Sequence, residues 1–212
     1  MVSKSNHIVA MKNFFQKIPV WLKIAFIVLL MAVAWGIWFW ANKSPVKPPA
    51  DFLIARQKGA EISQKIVELT LATNQKISEI NSLDLNGDYL KALNYIEEAK
   101  NRNKETLNQA VKLANEVQKM TEFLDKISLK SREIAIKAIT SENYLLTNFM
   151  NYNQIFGQFL GNLRGVIATS KIEYRQAAEN NLSELNIKTA IINNLNQEFI
   201  GQMEEFDKSF SR

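Results

Sequence analysis

All four prolines of this chain lie in its first 49 residues, at positions 19, 45, 48 and 49, so the following 163 residues have none. Proline in a helix interior removes a backbone donor and clashes with the preceding turn, at a cost of about 3 kcal/mol. A long proline-free stretch rich in Ala, Leu, Lys, Glu and Gln therefore favours uninterrupted helix. With only 7 glycines in the chain, a fold made of many tight β-turns is poorly served.

The apolar spacing points the same way. Ile62, Ile66, Leu69, Thr73, Ile77, Ile80 and Leu83 step by three or four, as one face of a helix requires. Leu83-Asp84-Leu85-Asn86-Gly87-Asp88 interrupts this stripe with turn-forming residues. A second stripe runs from Ala92 and Ile96 through Asn103 and Leu113 to Leu124 and Ile127, and a turn is expected near Asp125–Ser131 with Ser128 or Ser131 as cap. The third stripe takes Ile134, Ala138, Leu145, Phe149, Tyr152, Phe156, Phe159, Leu163 and Val166. Ser170-Lys171-Ile172-Glu173 then fits a capping box, and Leu182 to Phe210 form a fourth stripe. The expectation is an all-α fold, with residues 51–212 forming an antiparallel up-down-up-down bundle of about four long helices. If the turn near residue 128 is absent, a three-helix arrangement or an extended coiled coil replaces it.

Ahead of this region lies a different kind of segment. Ile24–Ala41 holds 18 consecutive uncharged, mostly apolar residues. As a helix it spans roughly 27 Å, close to the hydrocarbon thickness of a bilayer. Lys23 and Lys43 frame it, and Trp35, Trp38 and Trp40 crowd its far end, as residues at a membrane interface do. Residues 18–42 are therefore read as a single transmembrane signal-anchor helix, preceded by a short basic cytoplasmic segment over 1–17 and followed by a proline-rich linker over 43–50. Four lysines precede the apolar run and two follow it closely, which places the N-terminus in the cytoplasm and the C-terminal domain outside it, at the cell membrane. The competing reading is a signal peptide cleaved after Ala32-Val33-Ala34, which the still apolar WGIWFW stretch disfavours.

Charge supports this division. The chain carries +5 overall, but residues 1–50 hold six lysines and no acid, while residues 51–212 hold the other 20 basic residues and all 21 acidic ones. A nucleic-acid binder would concentrate positive charge on its folded part, so nucleic acid is not expected as a partner. The expected partners are the lipid bilayer and a protein, which can be a second copy of the chain.

A search for chemistry is negative. No cysteine is present and the single histidine is His7, which removes disulfides, thiolate sites and the Glu-x-x-His di-metal sites of helical bundles. No HExxH, GxSxG or phosphate-cradling glycine loop occurs. No enzyme activity, cofactor or metal is expected. Glu97-Glu98 and Glu204-Glu205 are adjacent pairs that do not converge on a helix and read as solvated faces. Asn103 and Thr189 sit on core stripes, where a lone polar residue can set register.

The candidate partner face is FGQFLGNLRG, in which Gly157, Gly161 and Gly165 are four apart beside Tyr152, Phe156 and Phe159. Three helical glycines cost about 3 kcal/mol relative to alanine. Close packing inside the bundle, a local bend, a self-association face or an apolar pocket would each account for them. Asn86–Leu93 resembles the turn and second-helix start of a tetratricopeptide repeat, but the 34-residue period of that family does not recur. The layout also resembles the periplasmic four-helix sensor domain of bacterial chemoreceptors, which continues into a second membrane span and a cytoplasmic signalling part. The function read from the sequence is a membrane-anchored, non-enzymatic scaffold or protein-binding module. The alternative is an extracytoplasmic sensory domain that binds a small ligand between helices and acts through a separate membrane partner, although no residue pattern proposes that ligand.

Overall fold

A computed structural model describes residues 48–210, apart from the side chains at 81, 84 and 85. The expected cytoplasmic segment, the anchor over 18–42 and linker residues 43–47 lie outside the described residues. Among the described residues, no helix is long and apolar enough to cross a membrane.

The described chain is all helical. Helix α1 spans Ala50–Leu85, α2 spans Tyr89–Glu122, α3 spans Leu129–Thr169 and α4 spans Ile172–Ser209, with a single 3-10 turn at Leu124–Lys126 between α2 and α3. At 34 to 41 residues each, they run about 50 to 60 Å. Successive helices pack as antiparallel hairpins, α1 on α2, α2 on α3 and α3 on α4. The four apolar stripes turn inward and form one continuous core, with Phe52, Ile80, Ile96, Phe159, Leu163, Leu185, Ile192 and Phe206 among its most deeply buried members.

Each turn has a local cause. Gly87 adopts φ 77°, a left-handed conformation that glycine enters without a Cβ penalty. Asp88 then caps α2, its carboxylate accepting the Lys91 N–H at 3.4 Å. The turn expected near residue 128 is present. Phe123 closes α2, Ser128 sits at the N-cap of α3, and Arg132 donates to the carbonyls of Asp125 and Ile127 across the connection.

The third turn corrects the expected capping box. Ser170 closes α3 in a left-handed conformation, φ 56°, with its N–H donating to the Val166 carbonyl at 2.9 Å. Lys171, not Ser170, holds the N-cap of α4, and it makes no side-chain cap. With only Ser170 and Lys171 between the two helices, the serine is consumed in ending the first and cannot begin the second.

The ring closes where the first helix meets the last. The Phe52 and Phe206 rings lie 5.3 Å apart, and Phe210 packs edge-on against Phe206 at 4.9 Å. One turn further along, the Arg56 guanidinium donates to both carboxylate oxygens of Asp207 at 3.1 Å. Ser209 of α4 donates to Ser131 of α3 at 2.7 Å. The start of α1, the α2–α3 connection and the end of α4 therefore share one end of the bundle. The turns at 86–88 and 170–171 share the other.

The glycines of α3 differ in what surrounds them. A Cβ at Gly165 would fall about 2.5 Å from the Tyr174 ring of α4, whereas one at Gly161 would meet nothing within 4 Å. Gly161→Ala is expected to raise stability by up to about 1 kcal/mol, the helix-propensity gain, and Gly165→Ala to lower it because the α3–α4 hairpin must open. Urea unfolding of the two variants beside wild type checks the opposite signs.

Candidate functional site

The glycine–aromatic face read from the sequence is divided by the fold. Gly157 lies under Asn103 of α2, whose amide Nδ2 would stand 3.4 Å from a Cβ there. That proximity allows the Asn103 side chain to cross between helices and donate to the Asn153 backbone carbonyl at 2.8 Å. Asn153 in turn donates its amide to the Phe149 carbonyl at 2.7 Å. Gly165 accommodates Tyr174. Gly161 is the member of the three that faces open space. The series is thus two internal contacts and one free position, not one continuous face.

The aromatics are mostly core. Tyr152 and Phe159 are buried, Phe156 is partly so, and their rings follow one another along α3 at centroid separations of 6.1 Å. Burial pushes the Tyr152 hydroxyl well above its usual range, so it stays protonated. Tyr144, also on α3, is by contrast 61% exposed. Around Asn103 and Tyr152 the bundle has a polar layer, with Thr70, Thr73, Asn74, Thr106 and Asn153 lining a space of about 10 Å³. Asn103 is thus buried and bonded between helices, the geometry of a register-setting residue, while Thr189 bonds only to the Leu185 carbonyl one turn back in its own helix.

The acidic pairs are solvent-facing, with links between helices. Glu97 meets Lys100 at 3.6 Å and Arg164 of α3 at 3.3 Å, and Glu98 meets Lys76 of α1 at 3.2 Å. Lys76 also lies 3.7 Å over the Tyr95 ring. The proposed interface residues Lys23, Trp35, Trp38, Trp40 and Lys43 lie outside the described residues.

The chemistry that sequence reasoning missed sits deeper. A cavity of about 30 Å³ lies between the helices, and all four contribute to its wall: Arg56 and Gly59 from α1, Leu113, Glu116, Val117 and Met120 from α2, Ile139 and Glu142 from α3, Phe199 and Met203 from α4. Such a volume is on the order of two water molecules. Glu142 is 3% exposed and Glu116 is 8% exposed. Each has its Oε2 sealed from solvent and without a hydrogen-bond donor. Glu116 is held at its other oxygen by Lys119 at 2.6 Å. Glu142 lacks even that.

Glu142 responds differently to burial than the ion pair beside it. Desolvation pushes Glu142 up from 4.5 to about 7, with no opposing charge or donor to hold it down. Asp207 is also pushed up by burial and Arg56 down, but here the paired hydrogen bonds and mutual attraction offset part of the penalty. Arg56 on the cavity wall is therefore compensated by Asp207 behind it, whereas Glu142 has no such partner. A signal for Glu142 existed in the sequence. The third stripe steps from Ala138 directly to Leu145, and the position it omits between them is occupied by Ser141 and Glu142, both of which are buried.

No protein-family model, curated protein or solved structure matches this chain.

Because the folded Glu142 binds its proton more tightly than the unfolded one, its contribution to stability is fully present below about pH 4.5 and is lost as the pH rises through 7. Across that window wild type should lose about 3 kcal/mol relative to Glu142→Gln, an upper figure that water entry into the cavity would reduce. Chemical denaturation of both proteins at pH 5 and pH 8 measures the difference. Equal pH dependence in the two would contradict it.

Proposed function

We propose that the chain is a membrane-anchored, non-enzymatic scaffold or protein-binding module whose helical bundle stands outside the cytoplasm. One observation carries the reading. The contact of Phe52 with Phe206 sets the start of α1 at one end of the bundle. At the opposite end, about 50 Å away, the turns present Tyr89, Leu90, Ile172 and Tyr174 with large exposed apolar surface, Leu90 being 79% exposed. A helix anchored by the apolar run at 24–41 would hold the first end near lipid and carry the second away from it. Exposed aromatic and aliphatic side chains grouped at a tip are the residue types that anchor protein interfaces.

The tip replaces the glycine series as the first place to look for a partner, because Gly157 and Gly165 are engaged within the bundle. Gly161 remains open and is the position through which a second copy would pack closely. The partner is a protein in the compartment the bundle occupies.

Two measurements on the full chain in intact membranes test this reading. Protease added outside the cell should remove the bundle, and protection until lysis would overturn the orientation. Crosslinking and mass spectrometry should recover a neighbour that is lost in a Leu90→Lys, Ile172→Lys double variant that retains wild-type helicity. A neighbour retained equally by that variant would overturn the tip as the docking surface.

A further inference from the structure

The cavity at Glu142 is not needed by a scaffold. It has the composition of a small binding site: apolar walls from Leu113, Val117, Ile139 and Met203, with a few polar groups converging between them. Two of those groups, Glu116 and Glu142, keep a carboxylate oxygen that is sealed from solvent and lacks a donor. Buried acceptors of this kind are normally satisfied, because leaving one unmade forfeits its hydration without replacement. Both line the same cavity, from the neighbouring helices α2 and α3.

We propose that this cavity binds a small primary ammonium ion with a short apolar tail, its nitrogen donating to Glu142 and Glu116. Charge decides for a cation over a neutral or anionic guest. Around Glu142, the α1 wall contributes Arg56, whose charge is already matched by Asp207 of α4 through two hydrogen bonds at 3.1 Å. The α2 wall contributes Glu116, matched at its outer oxygen by Lys119. Glu142 is left as the unmatched charge, and α4 adds only Phe199 and Met203 to the lining. A guest bearing one positive charge neutralises the site, whereas a carboxylate guest would add a second unmatched anion. Geometry decides for an ammonium over a metal ion, since among the described residues no group of three or more His, Asp or Glu side chains is gathered to hold one. An ammonium needs only acceptors for its three N–H groups and a hydrocarbon wall for its tail. With a volume of about 30 Å³ the site admits the head and the first carbons, and the partly exposed Phe199 leaves a side on which the remainder can emerge. Because the guest pairs with the ionised form of Glu142, its affinity rises with pH, and binding below neutrality expels a proton from that carboxyl.

This inference is independent of the docking reading, since it concerns the interior and not the tip. The test titrates the full chain in detergent with n-propylammonium chloride, n-propanol and sodium propionate, following the melting temperature and ligand-observed NMR. Propylammonium alone should stabilise wild type, with affinity increasing at least tenfold from pH 5 to pH 8. Glu142→Gln should fold, melt no lower than wild type at pH 8, and lose at least tenfold in propylammonium affinity. Leu90→Lys should bind the probe like wild type. Equal effects of propanol and propylammonium, undiminished binding by Glu142→Gln, or no response of wild type to any probe would each overturn the proposal, the last leaving water as the occupant of the cavity.

Discussion

Closure of the first helix on the last is the interaction on which the rest of the molecule depends. Sequential hairpins form readily, since each helix lies beside the one that follows it. Joining α1 to α4 is different, because Arg56 and Asp207 are 151 residues apart. Phe52 against Phe206 supplies the apolar contact, and the Arg56–Asp207 fork fixes its register, since a bidentate guanidinium–carboxylate pair tolerates little displacement. A buried ion pair of this kind adds little net stability over an apolar pair, yet removing one partner strands the other. Its value here is geometric: it specifies which turn of α1 meets which turn of α4.

The cavity follows from that closure. Its wall needs Phe199 and Met203 on α4 as well as Arg56 and Gly59 on α1. Glu142 would be hydrated if α4 were displaced, and its proton affinity would return towards the ordinary carboxylate range. Stability, protonation and the occupancy of the cavity are therefore coupled through a single contact between chain regions remote in sequence. The polar layer at Asn103 is coupled less tightly, because it lies between helices that pack as neighbours in any case.

Much of the fold was legible in the residue pattern, for identifiable reasons. Asn86-Gly87-Asp88 marks a turn by backbone chemistry that acts locally, and the structure puts Gly87 at positive φ and Asp88 at the cap. The four stripes were readable because burial of one helix face is a periodic constraint. The Ser170 error arose from two helix ends competing for one residue, a competition that propensity does not resolve. The glycine series was legible as unusual but not as divided, since whether a glycine faces Asn103, open space or Tyr174 is a matter of neighbouring helices. Glu142 and Glu116 were missed because a carboxylate on a helix is ordinarily read as solvated, and only the packing of four helices shows where each points. The reading of a membrane anchor rests on hydropathy, charge and tryptophan placement in residues outside those described.

The most direct test of this account is the distance across the closing contact. The natural chain has no cysteine, so spin labels can be placed at chosen pairs without background. Labels at Ile54→Cys and Glu205→Cys should lie within about 20 Å of each other, as on adjacent helices, while Ile54→Cys and Lys171→Cys should be separated by roughly 50 Å, the length of α4. A first pair separated by more than about 40 Å would mean that α4 does not return to α1, as in an extended coiled coil, and would remove both the shared end and the cavity built upon it.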